Sequence, residues 1–424
     1  MIQLLILADD FTGALDTGVQ FAARGAVTKV VTDPSYDFAK TEGAVQVLVV
    51  AAETRHLPPE EARKRVLRTV RRALDAGVGY IYKKTDSALR GNIGAELSAV
   101  LEAAGADSMA FLPALPKMQR TTRGGIHYIS GVPVAESVFG QDPFEPIRKS
   151  AVREIIAEQS QVPVVLHPRA ETSAPWERPG IQVYDAETDE DLRRIASQLG
   201  PERLRLSAGC AGFAEALADI LGLDGQVPAF PELEPSLFIA CGSVNPVTLR
   251  QMEMADAAGF PHIHLTPVQK LDPVWLESPE CEERVSAWLE EAARAGRFIL
   301  DVNDPAGRDD TAEYARVHGL TTEDLRVRIS EQLAKLTRRL LDGGLNATML
   351  CTGGDTLLAL MRAVGVDQLT PVCEAAAGAV LTSFAYQGNL YHIISKSGGF
   401  GEPGLLCQLA SLVRTGNQKE DALC

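Results

Sequence analysis

The stretch LLILADDFTGALDTG, residues 4–18, decides the fold. Its first five residues are apolar without a break, as a strand buried on both faces requires. Two carboxylates, Asp9 and Asp10, follow at once, and Thr12-Gly13 opens a stretch with helical spacing. A buried strand running through a polar turn into a helix is half of a β-α-β unit. The same rhythm recurs outward along the chain. Strands are expected at Val45–Ala51, Tyr80–Lys83, Met109–Leu112, Leu237–Cys241, Phe298–Val302 and Met349–Cys351. Helices are expected at Ala14–Ala23, Pro59–Ala76, Gly94–Ala104, Asp189–Leu199, Gly212–Leu221, Pro279–Ala295, Thr322–Leu341 and Thr356–Ala363. The expected class is α/β: two α/β domains with mainly parallel sheets and a ligand cleft between them.

The chain has 424 residues, room for two or three domains. The best boundary is LDGQVPAFPELEP, residues 223–235, with three prolines, a glycine and no helical period. The expected division is a first domain over 1–225, a linker over 226–236 and a second domain over 237–424. Net charge is −15, and both parts share it: 25 Lys+Arg against 32 Asp+Glu before Pro235, and 16 against 24 after. With no basic module, a nucleic-acid partner is excluded, and any anionic ligand must be held by a local site.

No apolar run approaches the ~20 residues of a membrane span, so no membrane partner is expected. Residues 2–8 are too short and lack the basic flank of a signal peptide. The seven cysteines are scattered without a C-x-x-C pair, which predicts reduced thiols and a cytoplasmic location. The final residues, Thr415–Cys424, are polar and read as a frayed end.

In open α/β sheets, ligands gather outside the carboxyl ends of the strands. Asp9 and Asp10 stand at such an end. Capping explains one of them or Thr12, but two adjacent carboxylates favour a bound cation or ligand. YIYKKTDSALRGNIGAEL, residues 80–97, ends a strand in Lys83, Lys84, Asp86 and Ser87, then adds Arg90-Gly91-Asn92. Arginine suits bidentate binding of a carboxylate, and aspartate suits removal of a hydroxyl proton. The plainer reading is a surface pair between Asp86 and Arg90. Residues 113–137 form a long non-periodic segment in which Arg120 and Thr121 are candidate anion or polyol contacts.

The second half offers three glycine-containing turns before helices. ACGSVNPVTLRQM, 240–252, contains Ser243, either a phosphate contact or, with Asn245, a plain helix cap. MLCTGGDTLLALM, 349–361, has Gly353 and Gly354 for close backbone approach, Asp355 for magnesium or capping, and Thr356 at the helix start. IISKSGGFGEPGLL, 393–406, carries Gly398 and Gly399. Gly399, Gly401 and Gly404 spell G-x-G-x-x-G, but the acidic residue expected about 20 positions on has no second strand to stand on, so a dinucleotide unit is rejected. There is no Gly-Lys dipeptide and hence no P-loop, no H-E-x-x-H and no G-x-S-x-G. The basic run Arg63–Arg72 reads as a solvated helix face, and His262 and His264 as structural residues sharing one strand face.

The first half thus has the equipment for a small polyhydroxy acid and the second for a nucleotide's phosphates, which suggests phosphoryl transfer. The sequence resembles the four-carbon acid sugar kinases, a family long carried as a domain of unknown function. The resemblance rests on LADDFTGALDTG at 7–18, KKTDSALRGN at 83–92, RTTRG at 120–124, CGSVNPVT at 241–248, GGDT at 353–356 and SKSGGFG at 395–401. It implies an N-terminal sugar-acid-binding domain, a C-terminal ATP-binding domain, and phosphorylation of the terminal hydroxyl of threonate, erythronate or 3-oxo-tetronate. It also implies ATP contacts at Ser243, the 353–356 loop and the glycines after Ser397.

On that reading Arg90 with Lys84 holds the substrate carboxylate, and Asp9, Thr12, Gly91 and Arg120 complete the acid site. Asp10 or Asp86 accepts the proton of the C4 hydroxyl. The turns at Gly353, Gly354 and Gly399 hold phosphates, Asp355 orients Mg2+, and no protein metal ligand is fixed. A homodimer is left open. Two rival classes are a non-catalytic sensor of sugar acid and nucleotide, and an NAD-dependent hydroxy-acid dehydrogenase.

Overall fold

The computed structural model describes residues 2–41, 43–142, 145–168 and 176–415. Residues 416–424 of the tail expected to fray lie outside that set. The chain divides into two compact units, Met1–Pro228 and Ala229–Cys424.

The first unit begins β1 (Leu4–Ala8), α1 (Phe11–Ala22), β2 (Thr28–Val31), β3 (Val47–Ala51), α2 (Pro59–Asp75), β4 (Tyr80–Lys84), α3 (Ile93–Ala104) and β5 (Ser108–Leu112). It continues with β6 (Arg120–Arg123), β7 (Ile126–Ile129), β8 (Val132–Pro133), α4 (Val152–Ala157), β9 (Val164–His167), β10 (Gly180–Tyr184), α5 (Asp189–Arg203), β11 (Leu206–Gly209) and α6 (Ala211–Leu221). Its main sheet runs β2-β3-β1-β4-β11-β5-β10-β9, parallel throughout. All five residues of β1 are buried, because helices cover both faces. On leaving β1 the chain builds β2 and β3 on one side, then returns to place β4 on the other. The reversal opens the crevice between β1 and β4, the place where ligands bind in such sheets.

Residues 113–137 differ from the expected irregular loop. They contain the small antiparallel sheet β6-β7-β8, with Arg120 paired to Ile129 and Thr122 to His127. Strands this short carry too little alternation to stand out in sequence. The basic run of α2 is likewise more than a solvated face. Of the apolar face expected at Val66, Leu67, Val70 and Leu74, the two valines are buried and the two leucines partly so, but Arg65 donates to the Ala52 carbonyl at 2.9 Å and Arg72 to that of Ser35 at 2.7 Å.

The second unit contains β12 (Leu237–Cys241), α7 (Pro246–Ala257), β13 (His262–His264), α8 (Pro267–Leu271), α9 (Pro279–Ala295), β14 (Arg297–Asp301), α10 (Asp310–His318) and α11 (Thr322–Asp342). Then come β15 (Thr348–Thr352), α12 (Gly354–Val364), β16 (Gln368–Ala376), β17 (Ala379–Tyr386), β18 (Asn389–Lys396) and α13 (Leu405–Thr415). The sheet order is β13-β14-β12-β15-β18-β17-β16. It is parallel from β13 to β18 and antiparallel across β18-β17-β16. β12 lies between β14 and β15, so its carboxyl end is again a switch point. Proline and glycine punctuate the helices as their backbone demands: Ser278 caps α9 ahead of Pro279, and Gly296 ends it at φ 67°. Among the described residues no helix is long and apolar enough to cross a membrane.

Candidate active site

Three loops meet at the switch point of the first unit, and a guanidinium joins them. Arg55, four residues past β3, places Nη2 2.7 Å from Asp9 Oδ2, 2.8 Å from Asp10 Oδ1 and 3.7 Å from Asp86 Oδ1. Its Nε also donates to Asp9 Oδ2 at 2.8 Å. Asp9 and Asp10 follow β1 and Asp86 follows β4, so one side chain ties both walls of the crevice. Lys84, last residue of β4, stands 3.6 Å from Asp9 Oδ1 and 3.9 Å from Asp10 Oδ1. The buried Asp9 Oδ1 accepts no hydrogen bond. Strand alternation sends the neighbouring Lys83 to the other face, where it meets Glu96 at 2.8 Å in a fully buried pair. Of the two ammoniums in KKTD, only Lys84 faces these carboxylates.

The charges set the protonation states. Burial alone would raise Asp9, but the cations of Arg55, Lys84 and Lys83 outweigh it and hold the carboxyl below its ordinary range. Asp86 is held further down, since Arg90 and Arg55 outweigh its burial. Its Oδ2 accepts from Arg90 Nε at 2.9 Å and from the backbone N–H groups of Ala88 and Arg90 at 3.2 Å each, while Arg90 Nη2 donates to Oδ1 at 3.1 Å. The i,i+4 pair read from sequence is therefore present and bidentate, with Asp86 buried and Arg90 half-buried. Asp10 is different. Its Oδ1 accepts the Gly13 N–H at 3.0 Å as the cap of α1, and its side chain keeps 23% exposure.

Arginines and an aromatic ring form the next layer. Arg90 Nη1 reaches Asp142 at 3.1 Å. Arg90 and Arg120 both lie over the Phe139 ring, at 5.1 and 5.2 Å from its centre. Arg120 is buried and donates to Ser87 Oγ. Burial, with the nearby charge of Arg90, lowers its affinity for its proton despite Asp86. A bound anion would be welcome there.

The backbone is shaped around these cations. Left-handed φ values in non-glycine residues occur at Glu53 (48°), Leu89 (65°) and Gln119 (54°), just ahead of Arg55, Arg90 and Arg120. Each costs on the order of 1–2 kcal/mol and tends to persist where function needs it. Asn92 Nδ2 holds the Arg55 loop by donating to the carbonyls of Thr54 and Leu57, both at 2.8 Å. Gly91 packs on the same loop: a Cβ there would stand 3.0 Å from Arg55 Cγ, with φ at +83°. Gly91 thus lies against Arg55. Thr12 is buried in the first turn of α1, behind Asp10. Gly13 leaves room for Lys84, since a Cβ there would collide with Nζ. A cavity of about 350 Å³ adjoins the cluster, lined in part by Arg55, Gly91, Asn92 and Lys149.

In the second unit the turns after β12, β15 and β18 come together. Gly242 N–H donates to the Thr352 carbonyl at 3.3 Å, and Ser243 N–H to Thr352 Oγ1 at 3.3 Å. Asn245, with Val247 N–H on its Oδ1 at 3.0 Å, is the cap of α7, leaving Ser243 on the turn. The β18 turn is tied to α7 by Thr248 Oγ1 on the Gly398 carbonyl at 2.8 Å, and by Gln251 Nε2 on those of Phe400, Gly401 and Glu402, each at 3.0 Å. A Cβ on Gly398 would strike Ser243 Oγ, and one on Gly242 would strike Thr356 Oγ1. Gly353, at φ +94°, has nothing nearer than 3.7 Å to where its Cβ would lie, so its outer side is open. Gly354 begins α12 and Gly399 sits beside Asn245. Asp355 Oδ2 pairs with Arg326 of α11 at 2.8 Å. Lys396, absent from the expected site, is buried between these turns and donates to Thr248 Oγ1 at 3.2 Å; burial pulls its pKa down to about 8.

Two domain families match this chain in series. A sugar-binding N-terminal domain covers residues 4–217 and a nucleotide-binding C-terminal domain covers residues 238–406. A D-threonate kinase of Salmonella typhimurium is 30% identical over 96% of this chain and 97% of its own. A D-erythronate kinase of Heliobacterium modesticaldum is 28% identical over 98% of each. A crystal structure from Salmonella typhimurium, described as a putative tRNA synthase, has the same fold, with a TM-score of 0.79 at 21% identity over 96% of this chain and 99% of that one. The chain belongs to the four-carbon acid sugar kinase family.

Removing Arg55 leaves buried carboxylates without their shared cation, at a cost of about 3–5 kcal/mol. Asp9 and Asp86 are lowered on folding, so their stabilisation is full above the unfolded carboxylate pKa near ~4 and is lost as pH falls through the folded values. Urea unfolding at several pH values should show Arg55→Met well below the wild type at neutral pH, the gap closing at strongly acid pH. A gap that stays constant with pH would mean that Arg55 does not stabilise the ionised carboxylates.

Proposed function

We propose that the chain is an ATP-dependent kinase that phosphorylates the C4 hydroxyl of a four-carbon sugar acid, of the threonate, erythronate or 3-oxo-tetronate class. The observation that carries the reading is the Arg55-tied cluster at the β1/β4 switch point, which sets carboxylates beside Lys84, Arg90 and Arg120. Binding an anion needs the cations only. The carboxylates suit removal of a hydroxyl proton. The names of the two kinase relatives point the same way.

In this reading Arg90, Arg120 and Lys84 receive the substrate carboxylate, with Asp9 and Thr12 on the same wall. Gly91 acts through its contact with Arg55. Asp10 is the proton acceptor, because it is the partly exposed carboxylate. Asp86 is a weak base, spent on Arg90 and two backbone N–H groups, and serves to position Arg90. ATP fits the second unit: the open space over Gly353, the start of α12 at Gly354 and Thr356, and the turns at Ser243, Gly398 and Gly399 suit phosphate oxygens. Magnesium supplies charge neutralisation on the phosphates. Asp355 Oδ2 is paired with Arg326, and we assign no direct protein ligand to the metal.

ADP release measured against the threonate and erythronate stereoisomers and their 3-oxo forms tests the activity. Turnover with at least one is expected. Binding without release would indicate a sensor, and acid-dependent reduction of NAD a dehydrogenase.

Asp10→Asn should lower kcat by about 10²–10⁴ with ATP affinity unchanged, whereas Asp86→Asn should chiefly raise KM for the acid. The reverse pattern in steady-state kinetics would exchange the two roles.

Gly398→Val forces a side chain against Ser243. It should raise KM for ATP roughly tenfold or more, about 1.4 kcal/mol, and leave KM for the acid within twofold. An unchanged ATP KM would remove the β18 turn from the nucleotide site.

A further inference from the structure

We propose that His262, His264 and Asp301 form a binding site for a zinc-class divalent ion at the β13 edge of the second unit's sheet. The two histidines alternate on β13 and present one face, with ring centres 4.2 Å apart. β14 runs parallel beside them and pairs Asp301 with His264. One ligand atom from each of the three residues lies within 4.8 Å of the other two. His262 Nε2 and Asp301 Oδ2 share a hydrogen bond at 3.0 Å, whose proton the ion would displace. Ligands on an ideal tetrahedral zinc with bonds near 2.0–2.1 Å are about 3.3 Å apart. Sequence alone gives no third ligand, because Asp301 is 37 positions beyond His264 and only the β13-β14 pairing joins them.

The hydrogen bonds behind the three residues make the argument. Histidines that bind metals through Nε2 are usually anchored at Nδ1 by a carboxylate or carbonyl, which fixes the tautomer and aims the ring. Both histidines have that anchor: His262 Nδ1 lies 2.8 Å from Asp256 Oδ1, and His264 Nδ1 lies 2.8 Å from the Asn303 carbonyl. A carbonyl only accepts, so His264 carries its proton on Nδ1 when neutral, and Nε2 presents a lone pair. Asp301 is oriented in the same way. Its Oδ1 accepts Asn303 N–H at 2.9 Å and Asn303 Nδ2 at 2.7 Å, turning Oδ2 toward His262. Two imidazoles and a carboxylate select zinc and its neighbours over magnesium, which prefers oxygen ligands. The three protein ligands leave a fourth position for water. The ion would join β13, a three-residue edge strand, to β14.

The test uses the full chain, stripped with EDTA and dialysed, then titrated with Co2+ and with Zn2+. Expected is one tightly bound ion per chain, visible with Co2+ as d–d absorption in the visible range, and displaced by Zn2+ but not by excess Mg2+. His264→Gln should weaken Zn2+ at least about 100-fold, and Asp256→Asn about 10-fold, as outer-sphere partners do. Far-UV circular dichroism confirms that each variant is folded; if His264→Gln is not, His262→Gln replaces it. Absence of the visible bands, or wild-type affinity in a folded histidine variant, would overturn the site and leave His262 as a structural clamp between Asp256 and Asp301.

Discussion

The carboxylates at the first unit's switch point are held together by Arg55. Three carboxylates from two separate loops converge on its guanidinium, and that convergence would be prohibitive without it. The surrounding structure serves to keep that side chain in place. Asn92 clamps the carbonyls around it, Gly91 lets the next loop close on it, and Glu53 takes a left-handed conformation ahead of it. Asp9 and Asp86 are fixed as anions, leaving Asp10 as the partly exposed carboxylate of the set. A site built this way is pre-organised before substrate arrives, which is where much of an enzyme's advantage in positioning originates.

The second unit uses a different economy. Its turns offer backbone N–H groups and space, with few charged side chains. Gly242 and Gly398 exist to let Thr356 and Ser243 approach, while Gly353 keeps its outer side open. On the proposed reading such a surface recognises phosphate by geometry and helix ends. The arrangement answers the problem set by a net charge of −15. On that reading anions are accommodated locally, by buried cations in one unit and by oriented dipoles in the other.

The fold was largely legible in the sequence because its strands are buried on both faces and read as uninterrupted apolar runs. The exceptions, which also include β2, β9, β10 and β11, are instructive. β16 and β17 form an antiparallel hairpin, and the alternating burial of β16 over Gln368–Ala376 gives no solid apolar block. The short strands at 120–133 looked like loop for want of length. Within the site, Asp9, Asp10, Lys84, Asp86 and Arg90 stood out because polar residues crowd directly behind apolar strands. Arg55 did not, since AAETRH resembles any surface turn. Only the strand order, with β1 between β3 and β4, brings it to the centre. Gly91 lies against Arg55, a neighbour that local sequence does not reveal. The Arg326–Asp355 pair joins α11 to α12, and local spacing carries no trace of it.

The proposed reaction transfers a phosphoryl group to the terminal oxygen of a four-carbon acid. It is tested most directly by 31P and 1H NMR of the product formed from ATP and the acid that gives the highest turnover. One phosphomonoester resonance is expected, its phosphorus coupled to the two C4 protons. A phosphorus coupled to a C2 or C3 proton, an acyl phosphate, or ADP and inorganic phosphate with unmodified acid would contradict it.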